Sequence, residues 1–142
     1  MEPRTYSILV VDDSPADLYI VKEAFSECGF MCQLTTASSP QEAQQLLNKE
    51  RFDLVLSDFG TDPNGARSFI RSVRARNQSL PIIVLSGSYN SNLAYESGAN
   101  AFVRKSSDLQ EIFAKIQGIM KFWVDVAEFP SPARSIAKHN FA

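Results

Sequence analysis

The sequence is poor in the residues that form zinc and disulfide sites. It contains two cysteines and a single histidine among 142 residues. A structural zinc ion takes about four nitrogen or sulfur ligands, so this class of site is excluded. Cys28 and Cys32 also lack the two-residue spacing of redox motifs. We therefore expect both to serve as small apolar side chains near the first helix and the second strand.

Runs of a single charge and long apolar runs are missing as well. The net charge is -2, and no long basic segment provides the electrostatic footprint of a nucleic-acid-binding protein. No apolar stretch approaches the ~20 residues of a membrane span. The N-terminal residues also lack the apolar segment of a signal peptide. We therefore expect a cytoplasmic protein that binds neither nucleic acid nor a membrane.

Short apolar runs alternate with longer segments of helical period along the chain. This alternation favours βαβ units, and hence an α/β domain with a parallel sheet. The apolar runs predict strands at residues 8–11, 33–37, 52–58, 82–85 and 101–103. The helical segments predict helices over 14–29, 39–47, 66–76 and 107–126, with a short helix or one-turn loop at 88–97.

Serine–proline pairs mark the starts of two of these helices. Ser14-Pro15 supplies a capping acceptor and a first-turn proline, and Asp17 lies near the positive end of the helix dipole. Ser39 opens a capping box with Glu42. By composition, residues 61–65 predict a turn. Helical spacing predicts that the densest positive group forms a solvated helix face: Arg67, Arg71, Arg74 and Arg76.

The predicted last helix is the most strongly amphipathic segment of the chain. Its apolar residues recur at intervals of three and four: Leu109, Ile112, Phe113, Ile116, Ile119, Met120 and Trp123. Phe122 and Val126 extend this stripe beyond what a sheet of short strands needs, and burial in a homodimer is the simplest explanation. The competing interpretation is that the tail folds back over it. The predicted boundaries are 6–128 for the domain and 129–142 for the tail.

Polar residues follow four of the predicted strands. Asp12-Asp13 follow the first, Asp58 the third, Ser86 the fourth and Lys105 the fifth. In open parallel sheets, ligands bind beyond the carboxyl ends of the strands. A lone aspartate after a strand is usually a turn or cap residue. Here each polar residue follows a different strand, which favours one shared site.

The residue types at this edge suit a divalent cation beside a nucleophile. Mg²⁺ prefers oxygen ligands, and Asp13 and Asp58 are candidates to bind it directly. Asp12 is expected to act through water, and the Gly60 carbonyl is a further candidate oxygen. Asp58 is also the candidate nucleophile towards phosphorus, as in enzymes that form an aspartyl phosphate. Phosphoryl oxygens have two further candidate partners, Lys105 and Ser86.

With these residues, the sequence resembles a response-regulator receiver domain over about residues 6–126. The matching motifs are Asp12-Asp13, Asp58, Ser86-Gly87 and the segment 98–105. The resemblance implies a flavodoxin-like, doubly wound sheet of five parallel strands in the order 2-1-3-4-5. It implies that Asp58 accepts a phosphoryl group from a sensor histidine kinase. It also implies that Phe102 is the aromatic residue that changes rotamer when Ser86 moves toward the phosphate.

The C-terminal quarter has a narrower resemblance, to single-domain regulators that partner bacterial phytochrome kinases. The similar segments are Lys105-Ser106, Gln117-Gly118-Ile119, Phe122-Trp123 and Phe129-Pro130. In those regulators the extended last helix takes part in a homodimer. The resemblance therefore implies a phytochrome-type kinase as partner, and signalling through phosphorylation-dependent protein contacts.

The sequence leaves two alternatives to an active receiver. The loops after Asp58 and Ser86 are shorter than usual in the family, and a pseudo-receiver would use the fold only to bind proteins. Retention of the acidic residues, Ser86 and Lys105 favours an active receiver, which catalyses only its own phosphotransfer and dephosphorylation. A haloacid-type phosphatase fits poorly, because it needs a second aspartate two residues after the nucleophile and Gly60 stands there.

Overall fold

The structure is a computed structural model that describes residues 4–58, 63–87 and 91–126. Strands and helices alternate along the described chain. The strands are β1 (Tyr6–Val11), β2 (Cys32–Ala37), β3 (Leu54–Ser57), β4 (Ile82–Ser86) and β5 (Ala101–Arg104). The helices are α1 (Pro15–Ser26), α2 (Pro40–Lys49), α3 (Pro63–Arg76), α4 (Ser91–Ser97) and α5 (Leu109–Lys121). A π-helical turn, Phe122–Val126, continues α5.

The strands form one parallel sheet in the order β2-β1-β3-β4-β5. The predicted order 2-1-3-4-5 is therefore confirmed. In the pairing register, Val11 lies opposite both Ala37 and Ser57. Ser57 in turn lies opposite Val84, and Val84 opposite Phe102. This register brings the carboxyl ends of neighbouring strands to the same edge.

Helices cover both faces of the sheet, because successive strand residues point to opposite sides. Helices α1 and α5 pack on one face against Ile8, Val10, Leu54, Leu56, Ile83 and Leu85. Helices α2, α3 and α4 pack on the other against Leu9, Val11, Val55, Ile82 and Val84. The central strands are buried on both faces, which is why they appear in the sequence as continuous apolar runs.

The predicted caps of α1 and α2 are confirmed. Ser14 Oγ accepts a hydrogen bond of 3.2 Å from the Asp17 N–H. Ser39 Oγ accepts one of 3.1 Å from the Glu42 N–H. These side chains satisfy N–H groups that have no partner within the first helical turn. The caps therefore set where each helix leaves the sheet edge.

Two helix boundaries differ from the sequence predictions. The predicted turn at 61–65 is wrong in its second half, since α3 already includes Pro63 and the two residues that follow it. Proline suits the first turn of a helix as well as a turn, so composition did not separate the two. Helix α1 ends at Ser26, before the predicted stop, and Gly29 follows with a φ of 84°.

Arg74 corrects the prediction of a solvated arginine face. Its guanidinium donates hydrogen bonds of 2.6 Å to the carbonyl oxygens of Gly98 and Leu80. It donates a further bond of 2.5 Å to Asn100 Oδ1. Burial lowers the pKa of Arg74. The side chain thus ties α3 to the loops that precede β4 and β5.

The long last helix is confirmed, although it begins at Leu109 rather than at 107. Trp123 and Val124 pack against the face of the core formed with α1 and α5. Phe122 is 50% exposed. Its ring meets the Trp123 ring edge to face, with centroids 5.4 Å apart. The predicted tail, 129–142, lies outside the described residues.

The two cysteines lie close together in the fold and are not bonded to each other. Cys28 and Cys32 are half-buried free thiols beside apolar side chains of α1 and β2, as predicted. Burial, followed by the neighbouring Cys28, raises the pKa of the Cys32 thiol to about 12.

Within the described ranges, every helix is too short or too polar to cross a bilayer.

Candidate functional site

The carboxyl ends of β1, β3 and β5 deliver three charged residues to one place. Asp12 follows β1, and its N–H donates to the Ala37 carbonyl at 3.0 Å. Asp58 follows β3, and its N–H donates to the Val11 carbonyl at 2.9 Å. Lys105 follows β5 and is anchored through its N–H to the Ser86 carbonyl, also at 2.9 Å. The sheet's own hydrogen bonds therefore fix the backbone of each site residue.

The Lys105 ammonium lies at the centre of this group. Its Nζ donates hydrogen bonds to Asp12 Oδ2 at 3.0 Å, to Asp17 Oδ2 at 2.8 Å and to Asp58 Oδ2 at 3.2 Å. The side chain of Asp12 is 4% exposed, that of Asp58 11%, and that of Lys105 17%. Water therefore competes little for these charges. The structure therefore brings Asp12, Asp58 and Lys105 together, as the sequence predicts.

Burial and neighbouring charges have opposing effects on the pKa of Asp12 and on the pKa of Lys105. Burial raises the pKa of Asp12, although hydrogen bonds from the Ser14 N–H and from Lys105 oppose the shift. Burial also works against the charged form of Lys105. The three neighbouring carboxylates outweigh it and raise the Lys105 pKa. Lys105 is therefore positively charged throughout the physiological pH range.

Asp17 is the site residue that sequence reasoning missed. The sequence pattern predicts for it only a favourable place near the N-terminus of α1. In the structure its carboxylate makes the shortest contact with Lys105, 88 positions away in the chain. The signal was present, since α1 begins at the sheet edge and its first turn must face the strand ends. Nothing local connected Asp17 to Lys105.

The carboxylates of this group suit a hard cation. Ligand oxygens of Asp12, Asp17 and Asp58 all lie within 4.8 Å of one another. Carboxylate oxygens are the donors that Mg²⁺ prefers. Asp13 is exposed beside this group, while Gly60 lies outside the described residues.

Ser86 and Phe102 lie on neighbouring strands and on the same face of the sheet. Ser86 is 1% exposed and ends β4 two positions after Val84, which pairs with Phe102. Phe102 is half-buried and packs on the face that α2, α3 and α4 cover. Its backbone N–H donates to the Tyr95 hydroxyl of α4 at 3.1 Å. A movement of Ser86 can therefore change the packing of Phe102 on the neighbouring strand β5.

Residues 8–117 match the response regulator receiver domain family. This match covers most of the chain, and the chain belongs to that family. It is the receiver domain of a two-component response regulator. The resemblance predicted from Asp12-Asp13, Asp58, Ser86 and Lys105 is thereby confirmed.

Two relatives, Rcp1 and RcpA, are similar to the chain over most of its length. The response regulator Rcp1 of Synechocystis sp. is 26% identical over 136 residues, which cover 87% of this chain and 92% of Rcp1. The crystal structure of the phosphorylated cyanobacterial phytochrome response regulator RcpA has a TM-score of 0.80 at 26% identity, covering 90% of this chain and all of RcpA. The Mn²⁺-bound form of Rcp1 has a TM-score of 0.77 at 25% identity, covering 89% of this chain and 99% of that structure.

Proposed function

We propose that this receiver domain accepts a phosphoryl group on Asp58 from a sensor histidine kinase. The observation that carries the proposal is the contact of 3.2 Å between Lys105 Nζ and Asp58 Oδ2. A carboxylate can form a covalent phosphoryl intermediate, and a fixed ammonium can pair with the phosphoryl oxygens. The contact joins these two groups at the edge where ligands of parallel sheets bind.

The proposed reaction forms one bond and breaks another. An oxygen of the Asp58 carboxylate attacks phosphorus while the bond from phosphorus to the donor's histidine nitrogen breaks. The electron pair of that bond returns to the nitrogen. Lys105 then exchanges its hydrogen bond to Asp58 for one to a phosphoryl oxygen while its ammonium stays beside the site. The domain catalyses only this transfer and the later hydrolysis of its own aspartyl phosphate.

Mg²⁺ is the proposed cofactor, with Asp13, Asp58 and the Gly60 carbonyl as its direct ligands and Asp12 acting through water. The convergent carboxylate oxygens support a divalent cation, and so does the Mn²⁺-bound form of the related Rcp1. Bound Mg²⁺ would offset negative charge on the phosphoryl group during transfer. Asp12 is buried and Asp13 is exposed, so the proposed set combines a carboxylate shielded from water with one open to it.

The proposed output is a switch that uses Ser86 and Phe102. Once Asp58 carries a phosphoryl group, the phosphoryl oxygens are new acceptors for the Ser86 hydroxyl. Phe102 then fills the space that Ser86 vacates. Phosphorylation can shift such an equilibrium only by making different contacts in the two states. The shared sheet face of these residues supports this coupling.

The proposed partners follow from the relatives. RcpA is described as a phytochrome response regulator in phosphorylated form, which supports a phytochrome-type histidine kinase as the phosphodonor. A cytoplasmic location is part of this proposal. The exposed Phe122 next to Trp123 supports a homodimer through the last helix. We assign residues 6–128 to the receiver domain and 129–142 to a C-terminal tail.

Labelling by a small phosphodonor tests the central proposal. Purified protein is incubated with acetyl phosphate and Mg²⁺, and intact mass measures the phosphoryl group. Wild type should gain one phosphoryl group, and Asp58→Asn should gain none. Asp53→Asn is the matched control, because Asp53 flanks the opposite end of β3 and bonds to Arg4 and the Ser7 N–H instead.

Each outcome of this experiment has a distinct meaning. Equal labelling of Asp58→Asn and wild type would place the acceptor elsewhere. A wild type that stays unlabelled, with its fold intact, would support the pseudo-receiver instead. Omission of Mg²⁺ should abolish labelling of the wild type and of Asp53→Asn alike, since both keep the proposed cation ligands.

A further inference from the structure

We infer that Asp17 is a positioning residue that holds Lys105 in place for phosphotransfer to Asp58. This inference rests on the proposed function and deepens it. Asp17 touches neither the phosphoryl group nor the attacking oxygen in the proposed reaction. It acts through Lys105, whose ammonium must already lie beside Asp58 when the donor arrives.

The contacts of Lys105 support this assignment. An ammonium has three N–H donors. In the structure three carboxylates accept hydrogen bonds from it, and the bond to Asp17 Oδ2 is the shortest, 2.8 Å against 3.0 Å and 3.2 Å. The contact links the first turn of α1 to the segment after β5. It therefore holds the ammonium from a helix, whereas Asp12 and Asp58 directly follow strands.

Asp17 is also the partner that the reaction leaves unchanged. Asp58 is converted from a carboxylate to an acyl phosphate. Asp12 accepts a hydrogen bond of 3.0 Å from the Ser14 N–H and is proposed to contact the cation through water. Asp17 keeps the same charge and the same location throughout. It can therefore retain the ammonium while the contact with Asp58 is exchanged for one with a phosphoryl oxygen.

Local structure holds Asp17 itself. Its N–H donates to Ser14 Oγ, and the positive end of α1 favours its negative charge. Asp17 and Lys105 line the same small cavity between α1, β4 and α5, together with apolar side chains: Ile20, Val21, Leu85 and Ile112. These apolar walls limit the positions that the Lys105 stem can occupy.

Positioning matters because a lysine side chain is flexible. Its long stem samples many rotamers in solution, and ordering it costs entropy. When Asp17 holds the ammonium, this ordering precedes the encounter with the donor. Fixed groups that need no rearrangement during the reaction lower its barrier. Removal of the Asp17 charge should therefore slow transfer without removing the acceptor or the proposed cation ligands.

A double-mutant cycle tests the inference. The initial rate of labelling by acetyl phosphate with Mg²⁺ is measured for wild type, Asp17→Asn, Lys105→Ala and the double variant. Asp17→Asn should slow labelling of the wild type by about fivefold, the scale of one partly exposed ion pair. In the Lys105→Ala background the same substitution should change the rate by less than about twofold.

Two further variants test whether a slower rate comes from the lost contact with Lys105, from the loss of any carboxylate on α1, or from misfolding. Glu23→Gln removes an exposed carboxylate from the same helix without contact to Lys105 and should label at the wild-type rate. Thermal unfolding identifies any variant that does not fold. If Asp17→Asn fails to fold, Asp17→Ala takes its place in the cycle, because alanine is a strong helix former.

The outcomes distinguish this inference from the proposed function. An unlabelled wild type contradicts the proposed function itself. A labelled wild type with an equally fast Asp17→Asn overturns only the positioning role. An equal loss of rate in the presence and absence of Lys105 also overturns it, because Asp17 would then act directly on the cation.

Discussion

The Nε of Arg74 lies 2.6 Å from the carbonyl oxygen of Gly98, to which it donates a hydrogen bond. The same guanidinium reaches the Leu80 carbonyl and Asn100 Oδ1. Asn100 Oδ1 also accepts a bond of 2.7 Å from the Ile82 N–H at the start of β4. One side chain of α3 thus joins the two loops that lead into β4 and β5, the strands that carry Ser86 and Phe102.

This relationship predicts that Gly98→Ala is destabilising. Gly98 has a φ of 116°, which L side chains rarely adopt, and an added Cβ would lie 2.6 Å from Arg74 Cγ. We expect the free energy of unfolding to fall by about 1–3 kcal/mol, measured by urea denaturation. Gly118→Ala is the control, because a Cβ at this α5 position meets no atom within 4 Å. It should match or exceed wild-type stability, and equal stability of Gly98→Ala would contradict the prediction.

The parts of the fold that could be predicted from sequence are those with a local physical cause. The runs at 8–11 and 82–85 are apolar at every position because both of their faces are buried. Ser14 and Ser39 act on N–H groups three positions away. The gathering of Asp12, Asp58 and Lys105 also follows, since parallel strands place their carboxyl ends at one edge.

The parts that escaped prediction depend on contacts between distant segments. Helical spacing places Arg74 on one side of α3, but it does not indicate that Gly98 and Leu80 lie over that side. Asp17 has an ordinary place in a helical first turn, and its role depends on Lys105 after the fifth strand. Pro63 is equally suited to a turn and to a helix start. In each case a tertiary contact decides what local chemistry leaves open.

Asp13→Ala should weaken Mg²⁺ binding while leaving the fold intact. The substitution removes one anionic oxygen from a hard cation that needs several. Metal titration followed by Trp123 or tyrosine fluorescence should show a clearly lower affinity than wild type. Asp53→Ala, at the opposite edge of the sheet, provides the control for a lost carboxylate. An unchanged affinity of Asp13→Ala would place the ion away from Asp13.

Ser86→Ala should separate phosphorylation from its consequences. The variant keeps Asp58 and Lys105, so acetyl phosphate should still label it. The change in partner binding or dimerisation that accompanies labelling should be weakened, because the phosphoryl group loses the Ser86 hydroxyl. Ser97→Ala removes another buried hydroxyl, one that donates to the Leu93 carbonyl within α4, and should retain the change. A full response from labelled Ser86→Ala would show that the coupling follows another route.

Asp12→Asn should make the metal-free protein more stable at neutral pH. Burial raises the folded-state pKa of Asp12 above its ordinary value of 3.8, so the folded protein binds this proton more tightly than the unfolded chain. The free energy of unfolding therefore falls as the pH rises from the ordinary pKa of Asp12 through its raised folded-state pKa. At a pH below both values Asp12 is protonated in both states and causes no loss. Because asparagine does not titrate, the free energy of unfolding of the variant does not fall with pH for this reason.

Melting temperatures across pH in a chelating buffer measure the effect of Asp12→Asn. The advantage of the variant over wild type should be greatest at pH 7 and should shrink toward acid pH, because wild-type Asp12 then becomes neutral. Added Mg²⁺ should reduce the advantage at pH 7, since a cation bound next to Asp12 stabilises the ionised form. An advantage of the same size at every pH would contradict the predicted cause.

The last helix should mediate a homodimer. Phe122 is 50% exposed, and its ring meets that of Trp123 at an interplanar angle of 87°, which forms an aromatic surface at the end of α5. Burial of this surface against a second copy removes apolar area from water, and two-fold dimers are the commonest soluble assemblies. Sedimentation should therefore show a dimer of the full chain at tens of micromolar, roughly where a weak interface becomes visible.

Charge substitutions and a truncation identify the surface responsible. Phe122→Glu should shift the chain toward monomer. Leu109→Glu is the matched control, because Leu109 is 54% exposed at the opposite end of α5, and this variant should still dimerise. A chain ending at Ala127 should dimerise like the full chain if the helix alone forms the contact. If the full chain is monomeric and the truncated one dimeric, residues beyond Ala127 cover the surface within one molecule. A monomer in both cases rules out a constitutive dimer through Phe122.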